Sequence, residues 1–275
     1  MATRLTGERP VQNVTPDGLL ALHAAGYQAV VDRLGPGRLL DVGCGEGFES
    51  VSMAAADRPV IGVDYDQGAA ARAAARFGSG QADAAGLRSA APFAVARCDA
   101  RRLCLGPGTF RWACSSHLVE HFARPEEHVA EMARVLADDG TAFFITPNAP
   151  ADFENPFHIR LFGPDELHTL LSRFFFDVEV LGLDASAPVK ADFHRRRAKA
   201  SKILALDVFD LRHRMPRSWY IGLYTRVLPV AYRLMARRQT GGSSGITAGD
   251  FAVTGQVDDT TLVLFAVANR PRRAR

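Results

Sequence analysis

The segment Leu39-Leu40-Asp41-Val42-Gly43-Cys44-Gly45-Glu46-Gly47 constrains this chain more than any other. It reads as a buried strand running into a glycine-rich turn and then a helix. Glycines permit positive φ and let the backbone approach a ligand closely. A G-x-G-x-x-G turn would suit a dinucleotide pyrophosphate at the helix N-terminus. Here the spacing is G-x-G-x-G, with Asp41 two residues before the first glycine. A carboxylate there would repel a pyrophosphate but would help hold an ammonium and a sulfonium. The turn therefore favours a cationic cofactor.

Around it, short apolar strands alternate with helical stretches, the signature of a parallel α/β sheet. A helix over residues 17–34 ends at Gly35-Pro36-Gly37. Strands follow at Arg38–Val42, Pro59–Val63, Phe93–Cys98, Phe110–Ser115, Thr141–Thr146, Phe175–Leu181 and Thr260–Ala268. Helices lie near Glu49–Ala56, up to about Phe77, over Pro125–Ala137, and from Gly163-Pro164-Asp165 to about Arg173. Residues 184–258, between the last two strands, are too long for an ordinary connection. The sixth strand reads as parallel to its neighbours. Its exit then lies on the carboxyl edge of the sheet, where open α/β sheets bind ligands. The division expected is an N-terminal helical cap (1–37), a cofactor domain (38–182 with 259–270) and a helical insertion (183–258) acting as lid or substrate-recognition unit.

Two further acids sit where an adenosine would need them. Asp64, after strand 2, is placed to accept bonds from both ribose hydroxyls, and Tyr65 could pack on an adenine. Asp99, after strand 3, could accept the adenine amino group, with the Ala100 N–H facing the ring. Any one such aspartate could instead cap a helix. Three of them, after strands 1, 2 and 3, are hard to explain as caps.

LLDVGCGEG, IGVDYD and CDARRL resemble the first three motifs of the class I S-adenosylmethionine-dependent methyltransferases. SSHLVEHF followed by PEEHVAEMARVLADDGTAFFITPN, and then NPFHIRLFGPDEL, resemble the later strands in family members that act on small molecules and cell-surface glycans. GERPV with the His23–Tyr27 helix is similar to their N-terminal cap. The likeness covers roughly residues 7–182 and the final strand. It implies a Rossmann-like α/β fold, with a seven-stranded, mostly parallel sheet, helices on both faces and the last strand antiparallel. It also implies S-adenosylmethionine as cofactor, held by Asp41, Gly43, Cys44, Gly45, Gly47, Asp64, Tyr65, Asp99, Ala100 and Ser115.

Methyl transfer from a sulfonium is an in-line displacement in which positioning does much of the work. A hydroxyl acceptor would also benefit from a base, and histidine suits that task near neutral pH. His121 after strand 4 is the first choice and His158 within NPFHIR the second, with His117 and His168 also candidates. The alternative is that His121 only fixes its loop, secured by Glu120. His117-x-x-Glu120-His121 also matches a metalloprotease pattern. That pattern needs a helix to align both histidines, whereas this one directly follows a strand, so no metal is expected.

Neither an Asn/Asp-Pro-Pro-aromatic loop nor a nucleophilic cysteine after a proline is present, which argues against the common DNA-methylation chemistries. The net charge is +3, yet residues 189–238 hold 13 Lys/Arg and 3 Asp, a charge of +10, leaving −7 for the remainder. Arg195, Arg196, Arg197, Arg212 and Arg214 mix there with Phe193, Phe209, Trp219, Tyr220, Tyr224 and Tyr232. A basic amphipathic stretch can lie on an anionic membrane, cover an anionic substrate or bind nucleic acid. It can also be a solvated face over an ordinary lid core. An anionic, glycan or lipid-linked acceptor is favoured over RNA, for which no recognition module is present. No secretory signal or membrane-spanning run is read, and the four cysteines show no framework. The expected location is cytoplasmic, with possible peripheral membrane contact. A nicotinamide-dependent oxidoreductase and a non-catalytic cofactor-binding or assembly protein are the competing readings.

Overall fold

A computed structural model describes residues 15–78, 92–152, 157–193, 195 and 245–273. Within them an eight-stranded sheet runs in the order β3-β2-β1-β4-β5-β8-β6-β7. Its strands are β1 (Leu39–Val42), β2 (Val60–Asp64), β3 (Phe93–Arg97), β4 (Phe110–Ser116), β5 (Leu136–Pro147), β6 (Phe175–Ala185), β7 (Phe251–Thr254) and β8 (Val263–Pro271). The helices are α1 (Asp17–Val31), α2 (Phe48–Ser52), α3 (Gln67–Phe77), α4 (Pro125–Val135) and α5 (Pro164–Ser172).

Every residue of β1 is buried, as expected of a central parallel strand covered on both faces. Successive side chains point to opposite faces and so join different cores. Leu39, Phe143 and Phe265 pack with Leu22 and Val30 of α1. Leu40, Phe144 and Leu264 pack instead with Val129 and Met132 of α4 and Leu167 of α5. Complete burial of such a side chain contributes about 2–3 kcal/mol, so the two-sided core commits β1, β5 and β8 to the centre.

β8 is antiparallel to both β5 and β6. The direct neighbours of β6 are β8 and β7, both antiparallel, which corrects the reading of strand 6 as parallel to its neighbours. Lying antiparallel to β8, it still runs in the direction of β1–β5, so its exit remains on their carboxyl edge. The eighth strand is β7, four residues from the stretch read as insertion. It extends the expected seven-stranded sheet by one edge strand. Helix α4 stops at Val135, two residues short of expectation, and β5 begins at once at Leu136. Helix α2 is only Phe48–Ser52 rather than Glu49–Ala56.

The insertion is described only at its two ends. Residues 187–193 are helical, and Phe193 is buried with its ring edge-on to Phe251 at 6.3 Å. Arg196, Arg197 and the basic and aromatic residues from Phe209 to Tyr232 lie outside the described residues. No helix among those described is long and apolar enough to cross a membrane.

Candidate functional site

The turn after β1 puts Gly43, Gly45 and Gly47 at φ 85°, 56° and 79°. These left-handed conformations cost other L-residues about 1–2 kcal/mol each. The surroundings of Gly45 and Gly47 differ. A Cβ on Gly45 would meet nothing within 4 Å, whereas one on Gly47 would press on Ala73 and the Phe93 ring at 3.2 Å. Gly47 serves packing of helix on strand, and Gly45 leaves an open approach for a ligand. Cys44 is buried beneath the turn.

Asp64 ties β2 to that turn. Its carboxylate accepts the Gly45 N–H at 2.9 Å and the Asp66 N–H at 2.8 Å. Capping of α3 falls to Asp66, which accepts from the Ala69 N–H, so Asp64 is not the cap. Tyr65 is 68% exposed, with the Arg97 guanidinium 5.7 Å from its ring centroid. Asp99 accepts from the Arg101 backbone N–H at 2.9 Å and pairs with the Arg101 guanidinium. Those bonds hold its carboxyl below the usual carboxylate range despite partial burial.

Asp41 lies beneath the turn, completely buried, with the Ser50 hydroxyl donating at 2.5 Å and the Tyr27 hydroxyl 3.4 Å from both oxygens. Burial pushes its carboxyl up to about 7, against the pull of the Ser50 bond. A raised, buried carboxyl beside an open glycine turn fits a ligand that brings positive charge. Together, Asp41, the open approach over Gly45 and the Asp64 carboxylate fit S-adenosylmethionine.

Ser115 joins a link absent from the sequence reading. The buried His128 of α4 places Nε2 2.8 Å from Ser115 Oγ and Nδ1 3.2 Å from the Ala100 carbonyl. A carbonyl only accepts, so Nδ1 carries the proton and Nε2 takes the Ser115 hydroxyl. Burial lowers His128 to about 4, which keeps it neutral. The end of β4 is thereby fastened to the loop after β3. The available signal was helical spacing, since His128, Met132 and Val135 share one stripe of α4.

The turn after β4 packs on the glycine turn, because a Cβ on Gly43 would meet the Leu118 side chain at 3.1 Å. Glu120 is fully buried. Burial alone would raise its carboxyl, but His117, then His121 and His158, outweigh it and bring it below the ordinary value. Its Oε2 accepts from Thr146 Oγ1 at 3.0 Å. His121 and His158 meet edge to face at 5.3 Å between ring centroids. His117, at φ 49°, has Nδ1 3.6 Å from Glu120 Oε1 and its ring 4.1 Å from that of His23. His168, on α5, is not among the described contacts of this cluster.

A family model described as a methyltransferase domain matches residues 40–144. A protein of Mycobacterium tuberculosis named as a probable S-adenosylmethionine-dependent methyltransferase is 32% identical over 187 residues, covering 65% of this chain and 64% of that protein. One of the same description from Mycolicibacterium smegmatis is 30% identical over 190 residues, covering 65% of this chain and 67% of that one. A ubiquinone biosynthesis O-methyltransferase of Aromatoleum aromaticum is 35% identical over 112 residues, 40% of this chain and 44% of that enzyme. The match thus spans less than two thirds of the M. tuberculosis protein. Among solved structures, a Thermotoga maritima protein titled an S-adenosylmethionine-dependent methyltransferase superposes with TM-score 0.54 at 16% identity, over 90% of this chain and 89% of that one. At that identity the superposition speaks for the fold alone.

Proposed function

The chain belongs to the class I S-adenosylmethionine-dependent methyltransferases, and from that premise we propose that it methylates a hydroxyl of a small-molecule, glycan or lipid-linked acceptor. The observation carrying this is the cluster in which Glu120 and His121, on the turn after β4 that packs on the glycine turn, meet His158 from the segment after β5. The cofactor, when bound, supplies a methyl on a sulfonium that is already a good leaving group. The chain's own tasks are then to hold the acceptor oxygen in line, exclude water and assist loss of the hydroxyl proton. His121 and His158 are the side chains assigned to that last task, in a manner taken up below. The Aromatoleum relative, whose name specifies an O-methyltransferase, supports oxygen as the acceptor atom. The +10 charge of residues 189–238 supports an acceptor that carries negative charge.

Transfer of a labelled methyl group to hydroxyl-bearing acceptors tests this reading. His121→Ala and His158→Ala should each lower turnover at least about tenfold, the low end for a proton-transfer group, while S-adenosylhomocysteine still binds. Near-normal turnover in both variants would remove the histidines from the chemistry.

A further inference from the structure

We propose that Glu120, His121 and His158 form a binding site for one divalent transition-metal cation of the zinc and manganese class. Their ligand atoms all lie within 4.8 Å of one another. A cation with bonds of about 2.1 Å draws tetrahedral donors to roughly 3.4 Å apart, so closure takes side-chain movements on the order of 1 Å.

Among the described residues, Oε1 of the fully buried Glu120 has no hydrogen-bond partner and faces His117 Nδ1 at 3.6 Å. A buried carboxylate oxygen in that condition is costly unless something positive completes it. Each imidazole uses Nδ1 for a hydrogen bond of the kind that metal-ligating histidines make. His121 Nδ1 is 3.0 Å from the Phe157 carbonyl, which only accepts, so Nδ1 bears the proton and Nε2 is the basic nitrogen. His158 Nδ1 is 2.9 Å from Asp152 Oδ1, a carboxylate–histidine pair that sets the same tautomer. The Glu120 carbonyl accepts from the Ile159 and Arg160 N–H groups at 2.8 and 3.1 Å, fastening the segment that carries His158 to the turn that carries the other two.

Two imidazoles and one carboxylate suit zinc, manganese or their first-row neighbours, whereas calcium and magnesium prefer all-oxygen sites. The metalloprotease pattern needs His117 and His121 aligned on one helix, and the helical turn Val119–His121 leaves His117 outside. The fold instead brings in His158 from the segment after β5, while His117 faces both His23 and Glu120. Binding of the cation stands apart from the proposed methylation, and only its use rests on that reading. The cation would lower the pKa of an acceptor hydroxyl, the proton leaving to solvent, with the histidines acting as ligands rather than as bases.

The test is titration of chelator-treated protein with cobalt(II), followed by visible absorption, and with zinc, followed by calorimetry. One equivalent should bind. His158→Ala and Glu120→Gln should weaken it at least about tenfold, and Asp152→Asn by about tenfold to a hundredfold. S-adenosylhomocysteine titration of each variant checks that it has folded. If the buried Glu120→Gln fails that check, Asp152→Asn and His158→Ala decide. Absence of stoichiometric uptake, or equal uptake by folded variants, overturns the site. Because no methyl transfer is read, failure here leaves the methylation reading to its own assay.

Discussion

Asp41 carries the electrostatics of the cofactor turn. With its carboxyl pushed up to about 7 by burial, it is about half protonated at neutral pH before any ligand arrives. The ammonium of a bound cofactor favours the ionised form, so binding releases a proton and strengthens as pH rises through that value. S-adenosylhomocysteine affinity should therefore fall about tenfold between pH 8 and pH 6. Calorimetry on the wild type and on Asp41→Asn, which should lose the dependence, checks it. Gly45 and Gly47 make a second residue-scale contrast. Gly45→Ala adds only the strain of positive φ, about 1–2 kcal/mol. Gly47→Ala adds pressure on Phe93 and should cost roughly 2–4 kcal/mol in denaturant unfolding.

Among the elements, α4 bears on the site through His128, which bonds Ser115 and the Ala100 carbonyl. Its neutral form is favoured only in the folded state, so the unfolded chain takes up the proton first as pH falls. Folding stability should drop by about 3 kcal/mol between the ordinary histidine value of 6.5 and the folded value of about 4. His128→Gln should flatten that part of the stability–pH profile. The glycine turn and Asp64 were legible in the sequence because each belongs to one strand and the turn behind it. The His128 bridge was not, because it joins three elements whose proximity only the sheet order sets. The same holds for His158, which follows β5 yet meets Glu120 on the turn after β4. Strand β7 escaped notice because Phe251-Ala252-Val253-Thr254 is short and sits inside a long connection, without the flanking pattern that marks the other strands. Strand 6 was given the right direction with the wrong partners, since β8 inserts between it and β5.

For the whole molecule, both ends of the basic insertion rest on the α1 side of the sheet, where Phe193 and Ile246 approach Gly18. On the proposed reading, the net +10 that the sequence carries over residues 189–238 attracts anionic acceptors or an anionic bilayer. Sedimentation with anionic liposomes should show binding that weakens at high salt, and salt-independent or absent binding would remove the bilayer from the account.

The central claim is that the turn Asp41–Gly47 holds S-adenosylmethionine. Calorimetric titration of S-adenosylhomocysteine into the wild type and Gly45→Leu tests it most directly. The prediction is one site, weakened at least about tenfold in a variant whose Cβ disturbs no neighbour but whose side chain fills the approach. Equal affinity in the two proteins, or tighter binding of NADH than of S-adenosylhomocysteine, would contradict it.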